Sequence, residues 1–150
     1  MIEQAVTKET CQVIYESCCW EDAIKIASKP QLEKGYIDQT YVDAMIRNVH
    51  EYGPYIVIAP KIAIAHATPS DGCSKTSLGI TKFEVPVDFG AKDFGTVNIL
   101  FSLSAPEASS HMKLLQEMIS GINTPEKIDK LIKSRKAVEL YESFMKNMEV

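Results

Sequence analysis

Apolar residues along this chain change their spacing twice. In the first third, Trp20, Ala23, Ile24 and Ala27 recur at three- and four-residue intervals, the spacing of one buried helical face. Ser17 is its predicted N-cap and Pro30 its end. Val42, Met45, Ile46 and Val49 predict a second helix, with Thr40 and Asp43 as a capping box and Gly53-Pro54 as the stop. The run Cys11-Gln-Val-Ile-Tyr15 reads equally well as a strand or a helix end.

In the middle of the chain the period shortens. Tyr55-Ile-Val-Ile58 is apolar and rich in β-branched residues, and Ile62 and Ile64 alternate with Ala63 and Ala65. Leu78–Phe83 and Val85–Val87 follow, and then Val97–Leu103, the strongest predicted strand. Helical spacing then returns. Ser109 or Ser110 is expected to cap a helix whose apolar face is Leu114, Leu115, Met118, Ile119 and Ile122. Thr124 before Pro125 caps the next, which buries Ile128, Leu131 and Ile132. A last helix carries Val138, Leu140, Tyr141, Phe144 and Met145. Helices on both sides of a strand cluster predict an α/β fold, a small mixed β-sheet sandwiched between helices. No internal repeat or linker divides the sequence, so residues 1–150 read as a single domain.

Composition narrows the function. Sixteen Lys and Arg against 20 Asp and Glu give a net charge of −4, which argues against a protein that coats nucleic acid or anionic lipid. There is no run of ~18 apolar residues and no basic-then-apolar leader, so a cytoplasmic protein without membrane insertion is expected. The four cysteines read as reduced thiols, and without a C-x-x-C pair no structural zinc is expected.

Candidate chemistry centres on histidine. His66 sits where a strand leaves the sheet for the turn-rich loop Ala67-Thr-Pro-Ser-Asp-Gly72. There it serves either as a nucleophile or base, or as a hydrogen-bonding anchor of the loop. His111 falls in the first turn of a helix, where the dipole disfavours imidazolium. The same helix end, with the Ser109 and Ser110 hydroxyls, suits a phosphate. The other reading of His111 is a member of the helix's apolar face. His50 and Arg47 read as surface residues, although Arg47 has the length to reach a phosphoryl group. Cys73, seven residues after His66, is a possible thiol partner without a third orienting group. A metal-dependent hydrolase would need a third ligand that the spacing does not supply.

The segment Tyr41-Val-Asp-Ala-Met-Ile-Arg-Asn-Val-His-Glu-Tyr-Gly-Pro-Tyr-Ile-Val-Ile-Ala-Pro-Lys-Ile-Ala-Ile-Ala-His-Ala67 resembles the enzyme IIA domain of the sugar phosphotransferase system, mannitol/fructose superfamily. Gly53–Pro60, His66-Ala67 and Asp71-Gly72 are most similar to its ascorbate-type branch. The resemblance runs on through Val97–Leu103 and Ser110-His-Met-Lys-Leu-Leu115, and covers roughly residues 5–147.

It implies that His66 accepts a phosphoryl group from phospho-HPr and passes it to a cysteine of the cognate enzyme IIB. His111 would stabilise the phosphohistidine by hydrogen bonding. Thr68, Ser109 and Ser110 are the candidates for supporting the phosphoryl oxygens. The scheme uses no cofactor and no metal. The implied role is uptake of ascorbate or a related sugar or polyol. The alternative is a regulatory relative whose His66 phosphorylation controls a transcription regulator or another target. Three positions depart from the family pattern. Ala65 stands where many relatives have Pro, Thr68 where ascorbate-type relatives have Arg, and Asn48 where mannitol-type members have an assisting Arg, with Arg47 one residue earlier.

Overall fold

The strongest apolar run becomes the centre of the sheet: β5 (Val97–Ser104) is the third of five strands in the order β1-β4-β5-β3-β2. The computed structural model describes residues 1–68 and 72–149. β5 pairs antiparallel with β4 (Ser77–Val87) and parallel with β3 (Lys61–Ala65). β1 (Cys11–Ile14) lies parallel to the outer side of β4, which settles the ambiguous segment as a strand. β2 (Val57–Ala59) closes the other edge antiparallel to β3.

Strand alternation sends side chains to two apolar layers. Ala63, Ala65 and Leu100 face α2 (Trp20–Glu33) and α3 (Gln39–Tyr52), against Ile24, Tyr41 and Met45. Ile62, Ile64, Ile99 and Phe101 face the other way, where Leu114, Met118, Leu131, Leu140 and Phe144 pack on them. Those residues belong to α4 (Ala108–Ile119), α5 (Pro125–Ile132) and α6 (Ala137–Met148), and the short α1 (Ile2–Ala5) joins that layer. The small mixed sheet between helices is therefore present.

Several local expectations are corrected. Pro30 does not end α2, which continues to Glu33. A proline there leaves the carbonyl of Ile26 without its helical N–H, and Gln12 Nε2 donates to that oxygen at 2.7 Å. The N-cap of α2 is Cys19 rather than Ser17. Asp38, not the Thr40–Asp43 pair, caps α3, its carboxylate accepting from the Tyr41 N–H at 3.2 Å; Asp43 instead accepts from Gln39 Nε2. Glu107 occupies the N-cap of α4, so Ser109 and Ser110 lie inside the first turn. Ile119 is exposed and Ile122 lies past the end of α4. The two runs at 78–83 and 85–87 are one strand, and the β4–β5 register shifts between Lys82 and Val87, which accommodates Pro86 and its missing donor. The Thr124 cap before Pro125 and the Gly53 stop, at φ +85°, are as expected.

Candidate functional site

Parallel neighbours end on the same side of a sheet, and β3 and β5 are parallel neighbours. His66 follows the last residue of β3. The chain leaving β5 enters α4, whose fourth residue is His111. The topology thus brings both candidate histidines together, with ring centroids 5.7 Å apart. Both line one pocket of about 90 Å³, with Ile58, Ile64, Leu103 and Leu115 completing its apolar wall.

The ring of His66 is held from two sides. Its Nδ1 lies 2.8 Å from the carbonyl oxygen of Ile64, two residues back on the same strand. A carbonyl only accepts, so Nδ1 carries the proton and Nε2 carries the lone pair. The Tyr55 ring meets the His66 ring edge-on at 5.6 Å, and the Tyr55 hydroxyl donates to the His66 carbonyl at 3.4 Å. The ring is half-buried, and in this tautomer Nε2 is the ring nitrogen whose lone pair is left available.

His111 is held differently. Its Nε2 is buried and has no hydrogen-bond partner among the described residues. Burial, and then the nearby charge of His66, push the His111 imidazole below its ordinary 6.5. The helix start was the expected cause; burial is the larger one. In its Nε2–H tautomer a neutral imidazole there has an unused donor for a ligand oxygen.

Two tyrosines complete the surroundings. The Tyr41 hydroxyl donates to the Leu103 carbonyl at 2.5 Å and accepts from the Ala67 N–H at 3.1 Å. Cys73 hydrogen-bonds the same hydroxyl, which occupies the thiol proposed above as a partner for His66. Neither Tyr41 nor Tyr55 was among the candidates. The available signal for Tyr41 was a phenol on a buried helical face, which needs a polar partner.

The remaining candidates are placed unevenly. Thr68 and Ser109 are exposed, and their hydroxyls take part in no hydrogen bond among the described residues. Ser110 Oγ donates to the Glu107 carbonyl at 3.0 Å, so its proton is turned to the backbone. Asn48 hydrogen-bonds Tyr55 and so reaches the site through it, whereas Arg47 is exposed and unpaired among the described residues. His50 pairs with Glu21 at 3.5 Å and packs on Trp20 at 4.7 Å, as a surface residue. Pro69, Ser70 and Asp71 of the loop lie outside the described residues. Among the described residues no three His, Cys, Asp or Glu side chains gather to hold a metal ion, and no helix is long and apolar enough to cross a membrane.

Residues 5–147 match the family model described as "Phosphoenolpyruvate-dependent sugar phosphotransferase system, EIIA 2". The chain belongs to this EIIA family. Its members are phosphotransferases of sugar uptake systems. A protein described as a phosphotransferase IIA component, SgcA, of Escherichia coli K12 is 34% identical over 109 residues, 73% of this chain and 76% of that protein. The ascorbate-specific EIIA component of Salmonella choleraesuis is 28% identical over 126 residues, 83% of this chain and 82% of that one.

Among solved structures, the mannitol-specific cryptic enzyme IIA CmtB of E. coli superposes with a TM-score of 0.89 at 27% identity, covering 97% of this chain and 98% of that one. The mannitol IIA of E. coli, solved in complex with phosphorylated mannitol IIB, has the same fold. Its TM-score is 0.81 at 19% identity, covering 94% of this chain and 97% of that one. The EIIA family and its mannitol-type fold, expected from the motifs, are therefore established for this chain.

Proposed function

We propose that this EIIA protein is a cytoplasmic phosphocarrier whose working atom is His66 Nε2. The observation that carries this reading is the Nδ1–H bond to the Ile64 carbonyl, which leaves Nε2 as the available nucleophile of a ring that lines the pocket with His111. The lone pair of Nε2 attacks the phosphorus of phospho-HPr. The donor's P–N bond breaks, and its electrons return to the donor imidazole. In the second half-reaction a cysteine thiolate of enzyme IIB attacks the same phosphorus, an S–P bond forms and Nε2 recovers its lone pair. Catalysis of this kind is positioning and charge stabilisation. His111 would hold a phosphoryl oxygen, a role supported by its buried Nε2, which has no partner among the described residues. Thr68, Ser109 and the free N–H groups at the start of α4 are further donors for that group.

The surroundings suit a partner that docks and leaves. Tyr55 and Ile58 are exposed apolar residues touching or lining the site, and Met112 follows His111 on the exposed face of α4. Such a rim favours brief contact with two successive proteins. Ascorbate-specific relatives at 28% identity support ascorbate or a related sugar or polyol as the transported compound.

Intact-mass spectrometry after incubation with enzyme I, HPr and phosphoenolpyruvate tests the reading. Wild type should gain one acid-labile phosphoryl group, His66→Ala none, and His111→Ala should gain it slowly or lose it fast. Adding an ascorbate-type enzyme IIB should then discharge the wild type. Labelling of His66→Ala at the wild-type level would refute the assignment. Retention of the label in the presence of competent IIB proteins would favour the regulatory role.

A further inference from the structure

We infer that Tyr41 is a positioning residue, whose buried hydroxyl locks the segment carrying His66 to the end of β5 and so sets the geometry of phosphoryl acceptance. The inference rests on the phosphocarrier reading of His66.

The hydroxyl is used completely. Its proton goes to the Leu103 carbonyl at 2.5 Å, and its oxygen receives the Ala67 N–H at 3.1 Å. Beside the Cys73 contact, these two partners are main-chain groups, and they belong to the two segments that build the site. Ala67 directly follows His66, and Leu103 lines the His66–His111 pocket. The β3–β5 pairing ends at Ala65↔Ser102. Past that point the Tyr41 side chain bridges the two chains where the ladder stops.

A filling role alone would not need the oxygen. Tyr41 is 1% exposed, and a phenyl ring would fill the same volume without a polar group to satisfy. The approach also depends on the sheet. The residues on its α2–α3 face at this end of β3 are Ala63 and Ala65, which leave room for a large ring beside the strand. Burial pushes the phenol well above its usual range, so it keeps its proton and its donor role toward Leu103. The bracket also commits the Ala67 N–H, the backbone donor next to the nucleophile. The phosphoryl oxygens must then be held by other donors, which assigns more of that work to His111.

The test compares wild type, Tyr41→Phe and a control of similar thermal stability loss in the opposite layer, Leu140→Val. Phosphorylation by phospho-HPr is followed well below every melting temperature. Tyr41→Phe should lower kcat by ~10-fold or more with KM for phospho-HPr nearly unchanged, since misplacement of the reacting group costs rate and the docking face is untouched. The control should keep both constants. Equal kcat in Tyr41→Phe and wild type, or an equal loss in Tyr41→Phe and the control, would overturn the inference.

Amide exchange of Ala67 in the wild type provides a check that needs no variant, and it decides if Tyr41→Phe does not fold. It should be as slow as the amides of β5. Exchange as fast as an exposed loop amide means there is no bracket. If wild type takes no phosphoryl group, or His66→Ala takes it equally well, the phosphocarrier reading fails. That outcome is distinct from a labelled wild type with an indifferent Tyr41→Phe.

Discussion

A histidine whose Nε2 is buried without a partner is costly to protonate, and among the described residues His111 is such a residue. Its folded midpoint lies below the 6.5 of an ordinary imidazole, with burial as the first cause and the charge of His66 as the second. Between those two values the unfolded chain holds the proton and the folded chain does not. The His111 contribution to stability is therefore complete above about pH 6.5 and is lost as pH falls toward the folded midpoint. An NMR titration should place the His111 midpoint below 6.5, and His111→Asn should flatten this part of the stability–pH curve. On the proposed function, a phosphoryl group on His66 would add negative charge next door, and the His111 midpoint should then rise. No rise would remove His111 from any contact with the phosphoryl group. Thiols give a second check. Burial pushes Cys11 up to about 12, while Cys19 is exposed. A thiol reagent near pH 8 should label Cys19 quickly and Cys11 only on unfolding. The two histidines were legible as candidates because each sits at the boundary of a periodic segment. Tyr41 was not, because a phenol reveals its role only through backbone groups 26 and 62 residues away.

At the scale of elements, helix and strand identity followed from apolar spacing except at β1, which spacing left open, and the short α1, while element ends followed from partners that spacing does not encode. Pro30 was read as a stop, yet α2 passes through it because Gln12 Nε2, from a neighbouring strand, serves the Ile26 carbonyl. Gln12→Ala should therefore destabilise the protein by ~1–3 kcal/mol in urea unfolding, because that carbonyl and Thr81 Oγ1 both lose a partner. The start of α3 depends likewise on Asp38. Gly72 approaches this cap at φ +82°, and a Cβ there would lie 2.2 Å from Asp38 Oδ1. Gly72→Ala combines left-handed backbone with displacement of the capping carboxylate. A loss of ~1–3 kcal/mol and a lower melting temperature are expected.

For the whole molecule, the informative fact is the division of labour between the two faces of one sheet. Tyr41 and the α3 cap stand on one face, and the α1–α4–α5–α6 layer stands on the other. Phe144 is fully buried against Phe101, with ring centroids 5.7 Å apart, in a part of that second layer formed by α6. Phe144→Ala should cost ~3–5 kcal/mol by opening a cavity, yet leave the initial rate of His66 phosphorylation at wild-type level at low temperature. Equal losses of stability and rate would mean the two layers are not independent in this sense. The sandwich itself could be read from the order of periodic segments. The strand order β1-β4-β5-β3-β2 could not, since alternation within a strand assigns its faces but not its neighbours.

The bond from His66 Nδ1 to Ile64 has a consequence for regiochemistry. The acceptor is a main-chain oxygen, which every amino acid brings to position 64. No side-chain replacement there deletes it, so the choice between the two ring nitrogens is buffered against mutation in a way that a side-chain acceptor would not be. A small electrophile offered without any protein partner, such as phosphoramidate, should still modify one nitrogen only. In a His50→Gln background, alkaline digestion should then release a single positional isomer, the Nε2 adduct.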